Sequence, residues 1–232
     1  MDFLPAMTAI FAEWLPNVVK YWPKMTQAIF ETLKMVGISL PIITAGGVAL
    51  GVALVVISEG HIYENRTLNR ILPRLVNILR AVPFVILIAA ILPFTRFVVG
   101  TAVGVPGAVV PMIVAMIPFV ARQVELALLE IDRGVVDMAF SLGISKPYLI
   151  FHILLKEARG AIIRAITLSA ISLVSYSAMA GVVGGGGIGD LAIRYGYARL
   201  MSDITFFSVV LLLILVFGLQ GIGNILLKKF SY

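Results

Sequence analysis

The chain has 232 residues, of which 60% are apolar and only 13% charged, and its mean hydropathy is +1.06. Soluble domains are roughly half apolar and about a quarter charged, so this balance makes lipid the solvent. The net charge of +6 is accounted for by Lys and Arg clustered at one membrane face, without nucleic acid, and the absence of cysteine removes disulfides, thiolate metal sites and cysteine nucleophiles.

In chain order, residues 1–28 read as an extracytoplasmic or interfacial segment. They do not resemble a cleavable signal peptide, since they open on Asp2, lack a basic start and carry Pro5, Pro16 and Pro23. Met7, Ile10, Phe11, Trp14, Leu15 and Val18 fall at helical spacing. Two readings stay open: a short amphipathic helix at the outer interface with Trp14 and Trp22 at headgroup level, or an extension without a role.

Residues 29–229 read as an all-α membrane domain. A span needs about 20 mostly apolar residues to cross about 30 Å of hydrocarbon. Met35–Ser58, Phe97–Ala121, Ala165–Gly189 and Ile204–Leu227 contain no charged residue, and each is long enough alone. Ala81–Thr95 is short, but Leu75–Val99 reaches full length if Arg80 snorkels to the headgroups. The expectation is about five spans, near 35–58, 76–99, 104–126, 163–185 and 204–227, with a cytoplasmic loop over 129–160.

Five spans put the termini on opposite sides. Arg66, Arg70, Arg74, Arg80, Arg122, Arg133, Lys146, Lys156, Arg159, Arg164, Lys228 and Lys229 fall on one side; Lys20, Lys24, Lys34, Arg96, Arg194 and Arg199 fall on the other. Twelve against six makes the first side cytoplasmic, because Lys and Arg resist translocation. The N-terminus is then outside and the C-terminus inside. Arg80 and Arg96 read as interface anchors rather than substrate ligands.

Few motifs carry chemistry. Gly47-x-x-x-Gly51 and Gly100-x-x-x-Gly104 have the spacing that lets helices approach closely. Gly184–Gly189 matches the dinucleotide pattern by letter, but a membrane span precedes it instead of a strand, so it reads as tightly packed or flexible backbone. His61 and His152 have no partner at metal-ligand spacing and read as loop residues. Asn65-Arg66-Thr67 fits a glycosylation pattern on the wrong side of the membrane. No ionisable residue inside the spans offers a proton relay, which weighs against a proton-coupled carrier.

The cytoplasmic loop is the informative stretch. Ile131, Val135, Met138 and Leu142 recur at steps of four, three and four, an apolar stripe on a short helix. Asp132 suits the N-cap and Gly143 the C′ position, and Ser145-Lys146-Pro147 starts a second helix. Such a stripe can lie on lipid, on its own chain, or in a partner's groove.

Asp137-Met138-Ala139, Gly143 and Ile153-Leu154-Leu155 resemble the E-A-A---G---------I-x-L-P signature of ABC importer permeases. Asp137 stands for the Glu, Met138 for the first Ala and Lys156 for the Pro. Glu31-Thr32-Leu33, Arg80-Ala81-Val82-Pro83-Phe84, Pro93-Phe94-Thr95-Arg96, Pro118-Phe119-Val120-Ala121-Arg122, Ala127-Leu128-Leu129-Glu130-Ile131, Tyr176-Ser177-Ala178-Met179-Ala180-Gly181 and Tyr195-Gly196-Tyr197 resemble the methionine-importer permease group. The resemblance covers about residues 29–229.

It implies the type I ABC importer permease fold in a bacterial cytoplasmic membrane. Two copies of the chain would join two cytoplasmic ATPase subunits and an extracytoplasmic substrate-binding lipoprotein. The chain itself would be no enzyme and hold no cofactor, with ATP and Mg on the partner subunits. The expected cargo is D- or L-methionine or a close relative. Asp132, Val135, Asp137, Met138, Ala139, Leu142 and Gly143 would form the coupling helix to the ATPase. Tyr176 and Met179 resemble positions lining the translocation path, with ordinary helix packing as the competing account. A permease for another small amino acid or organic solute, or an ATP-independent secondary transporter, are the alternatives. A membrane enzyme would need a convergent polar cluster at a span end, and none stands out.

Overall fold

The structure, a computed structural model, describes residues 15–230. Met7, Ile10, Phe11 and Trp14 of the expected interfacial helix lie outside the described residues. In chain order the helices are α1 (Pro16–Lys20), α2 (Trp22–Val56), α3 (Arg66–Ala81), α4 (Phe84–Ala90), α5 (Leu92–Val99), α6 (Gly104–Leu129), α7 (Arg133–Ser141), α8 (Lys146–Tyr148), α9 (Arg159–Ala180), α10 (Gly187–Leu191) and α11 (Ser202–Phe230). Wider π-helical turns follow α8 over Leu149–Leu154, α9 over Gly181–Gly185 and α10 over Ala192–Tyr197. No strand occurs among the described residues.

Trp22–Val56, Gly104–Leu129, Arg159–Gly185 and Ser202–Phe230 are each long and apolar enough to cross a membrane. Each overlaps one of the four charge-free runs, with its ends shifted. The expected span at 76–99 is different: three helices occupy 66–99, and Arg66–Ala81 with Phe84–Ala90 counts as a span only as a broken pair. Two prolines explain the interruptions. Val82 adopts an extended conformation before Pro83, as residues preceding proline prefer. Ile91 likewise leaves the helix, and Pro93 sits in the first turn of α5, where its missing N–H costs nothing.

The chain divides into two compact units. The first comprises residues up to Ser39, Phe84–Met112 and Ser172–Gly218. Its core places Val18, Met25 and Ala28 against Ile188, Leu191, Tyr195 and Ile204. Asn17 fastens the start of the described chain, since its backbone N–H and its Nδ2 both donate to the Asp203 carboxylate at 2.9 and 3.1 Å.

The second unit comprises Leu40–Pro83, Ile113–Ile171 and the residues from Leu219. Here α2 and α6 meet at the Gly47–Gly51 pair. A Cβ on Gly47 would stand 2.4 Å from Val120, and one on Gly51 would stand 2.7 Å from the Ala121 carbonyl oxygen, so only hydrogen fits at either position. The Gly100–Gly104 pair does not do this. Both residues take positive φ, +75° and +70°, and lie where α5 ends and α6 begins, so their role is turning the chain. In the same second unit, α3 rests on α2 and α6 through Val76 and Leu72, packed with Leu50, Leu54 and Ala121.

Candidate functional site

The loop over 129–160 forms the first candidate site. Asp132 caps α7 as expected: its Oδ1 accepts from the Gly134 N–H at 2.6 Å. At the other end Leu142 is the C-cap, and Gly143 has φ +70°. Gly143 N–H donates to Phe140 O, and Ile144 N–H donates to Ala139 O, both at 3.0 Å. Those two bonds together make a Schellman motif, which reverses the chain and satisfies the last carbonyls. A new helix starts at once, with Ser145 as N-cap and Pro147 in the first turn. It is no separate short helix, because after the wide turns at Leu149–Leu154 the chain runs through Leu155–Glu157 into α9.

The predicted stripe divides in a specific way. Val136 and Ala139 turn inward and are buried. Ile131 and Val135 are half-buried, while Met138 is 59% and Leu142 70% exposed. The chain covers the flank of α7 next to the stripe and leaves the end of the stripe open. Ala139 therefore anchors α7 to its own unit rather than joining the open face. Asp137 is exposed, and its backbone carbonyl accepts from Ser141 Oγ at 2.9 Å.

Beside α7 lies the Ser58–Asn65 turn with a cavity of about 600 Å³ lined by His61, Tyr63, Glu64 and Lys146, among others. His61 Nδ1 is buried with no hydrogen-bond partner among the described residues. Burial, and secondarily the nearby Arg133 guanidinium, hold its imidazole below the usual 6.5. Lys146 Nζ sits 4.8 Å from the centre of the Tyr63 ring. His152 stacks on Tyr148, rings 4.4 Å apart. Asn65 serves as the N-cap of α3, its Oδ1 accepting from the Thr67 and Leu68 N–H groups.

The second candidate site is in the first unit. Tyr176 is half-buried on α9 and meets the Phe84 ring, centroids 4.5 Å apart and tilted by 53°. Met179, one turn on, is 41% exposed. Val183, just past the end of α9 where the chain leaves helical conformation, is also exposed.

Glu31 and Thr32 carry more than their place in a motif. Glu31 Oε2 accepts from the Gly187 N–H at 2.7 Å, and Thr32 Oγ1 accepts from the Ile188 N–H at 3.0 Å. Gln27 Nε2 donates to the other Glu31 oxygen at 2.8 Å. The glycine run thus presents free N–H groups at the start of α10, and the chain's own carboxylate fills that place. Gly184, Gly186 and Gly187 take positive φ, and a Cβ on Gly189 would lie 2.1 Å from the Ala178 carbonyl oxygen. Tight backbone packing is therefore the use of these glycines. Around them is a cavity of about 310 Å³ lined by Lys24, Glu31, Asp190, Arg194 and Tyr195, among others. Arg194 pairs with Asp190 at 2.7 Å, and Lys24 Nζ donates to the Tyr195 hydroxyl. A capping role for Glu31 was not readable in the sequence, because its partner lies 156 residues away.

Comparison with known proteins decides the family. The model for the inner membrane component of binding-protein-dependent transport systems matches residues 47–230. The chain belongs to this family. It is 45% identical over 205 residues to the probable D-methionine transport system permease protein MetI of Vibrio cholerae, covering 88% of this chain and 91% of that one. It is 40% identical over 219 residues to the methionine import system permease protein MetP of Bacillus subtilis, covering 94% and 97%. An inward-facing structure of the MetNI methionine ABC transporter is similar at a TM-score of 0.89 and 37% identity, covering 92% of this chain and 99% of that one. The chain is therefore a multi-pass transport component with the type I ABC importer permease fold, and not an enzyme.

Proposed function

We propose that this permease carries methionine, as the D or L form, or a close relative, across the cytoplasmic membrane in an ATP-driven importer. Two copies of the chain work with two ATPase subunits, which hold ATP and Mg, and with an extracytoplasmic substrate-binding lipoprotein. The N-terminus lies outside and the C-terminus in the cytoplasm. Identity of 45% and 40% to methionine permeases over nearly the whole chain carries the substrate assignment.

In this reading α7 is the coupling helix. Met138 and Leu142 dock in the ATPase, Val135 flanks them, Asp132 and Gly143 fix the two ends, and Ala139 seats the helix on its own chain. Tyr176 and Met179 line the path, where a thioether and a ring edge suit an apolar amino-acid side chain. Loaded binding protein and ATP each favour one of two arrangements of the permease pair, which is what alternating access requires.

Uptake of labelled methionine tests this in proteoliposomes holding the permease, its ATPase and its binding protein. ATP-dependent uptake competed by unlabelled methionine is expected. Uptake by the permease alone, without ATP, would overturn the importer reading in favour of a secondary transporter; ATP-dependent uptake of a different solute would overturn only the substrate.

A further inference from the structure

Helix α3 is amphipathic to a degree that packing within the chain does not use. At 3.6 residues per turn, Arg66, Arg70, Arg74 and Arg80 share one face with Asn69 and Asn77. Leu68, Ile71, Leu75 and Ile78 share the opposite face, and all four are exposed. Only the edge between them is seated, through Val76 and Leu72. Arg70, Arg74 and Arg80 form no ion pair among the described residues, and Arg66, with its side chain 84% exposed, reaches Glu64 only at 3.6 Å.

We propose that α3 is an interfacial helix that binds anionic phospholipid of the inner leaflet. The apolar face lies in the acyl boundary, and the arginines hold headgroup phosphates. Its seat sets the depth. Val76 packs on Leu54, two residues before α2 ends at Val56, so the helix is fixed at the level where a span leaves the hydrocarbon. A helix of 16 residues, about 24 Å long, with basic and apolar faces opposed is the form that lies in a membrane surface. Guanidinium groups grip phosphate oxygens in pairs, which suits a row of unpaired arginines. A second copy of the chain is the other conceivable cover for the apolar face. Pairing through the apolar faces about a two-fold axis would leave both arginine rows on the outside without a counter-charge, whereas a phosphate surface neutralises them.

The absence of cysteine makes the test direct, since single labels report without background. Spin labels at Ile78→Cys and Arg74→Cys are placed in the full-length chain in nanodiscs of phosphatidylcholine with phosphatidylglycerol. The Ile78 label should collide with oxygen and be shielded from a water-soluble nickel chelate, and the Arg74 label should meet nickel. An Ile78 label shielded from both reagents means protein covers the face; one open to nickel means water does. Either overturns the proposal. Native mass spectrometry supplies the charge arm. Replacing Arg70, Arg74 and Arg80 by Gln should weaken phosphatidylglycerol retention roughly fivefold for each arginine removed, while Lys at the same positions retains most of it. The three sites are exposed, so these variants keep the fold. Unchanged retention, or an equal loss of phosphatidylcholine, would also overturn it.

Discussion

In the first unit, polar side chains join residues far apart in sequence. Asn17 binds Asp203, Lys24 binds Tyr195, and Glu31 and Thr32 bind the N–H groups of Gly187 and Ile188. In the second unit, close packing is the means: Gly47 and Gly51 of α2 against Val120, Ala121 and Val124 of α6, and Gly223 against Thr167. In the second unit the four arginines of α3 and Arg133 and Asp137 of α7 stand on open faces instead. Within each unit, satisfied polar groups mark what must hold together, and unsatisfied faces mark what is left for a partner or for lipid.

The sharpest test substitutes a glycine in each unit. Gly189→Ala forces a Cβ into the Ala178 backbone and should cost about 3 kcal/mol, the upper range for overpacking. Gly47→Ala places a Cβ 2.4 Å from the Val120 Cβ, which moves only with its helix, and should cost a similar amount. Thermal unfolding in detergent measures both. Unequal losses would mean that close approach in the two units is not equally rigid.

Met138→Asp should separate assembly from stability. Met138 is open on the chain, so the unfolding temperature should not move. Association with the ATPase should weaken by about 2–3 kcal/mol through lost burial, more if the charge stays unpaired. Retention of the ATPase on purification and substrate-stimulated hydrolysis are the readouts. Full retention with normal turnover removes α7 from the coupling path and leaves its stripe to lipid.

Glu31→Ala strands the Gly187 N–H and should cost about 1–3 kcal/mol of stability. Glu31→Gln keeps an acceptor oxygen and should recover part of this. If alanine is silent, water replaces the cap and the first unit depends less on its long-range polar ties.

The smallest effect concerns pH. The folded imidazole of His61 is held below 6.5, so protonation favours the open turn. Its contribution is fully present above pH 6.5 and is lost as pH falls below that value towards the folded one. Protection of the Ser58–Asn65 amides, taken relative to their intrinsic exchange rates, should fall between pH 7.5 and 5.5, and the fall should vanish in His61→Gln. Persistence of the pH response in that variant assigns it to another group.

Much of this molecule follows from the order of its residues alone. Four uncharged apolar runs mark four long helices, because backbone groups in lipid must bond within their own segment. Asp132 and Gly143 mark the ends of α7, because caps and left-handed turns are local chemistry decided within four or five residues. The Gly47–Gly51 contact is legible for a related reason, since spacing on one helix sets which face is bare. Tertiary structure decided the rest. Two prolines broke the expected 76–99 span, and only three-dimensional packing shows that α3 sits by its edge with both faces open. Val136 and Ala139, not the predicted stripe, hold α7 to the chain, because the direction of the core is a property of neighbouring helices. Glu31 capping Gly187 joins positions 156 residues apart. No local pattern records such a pairing; it exists only when the fold brings a carboxylate to a helix start that lacks its own acceptor.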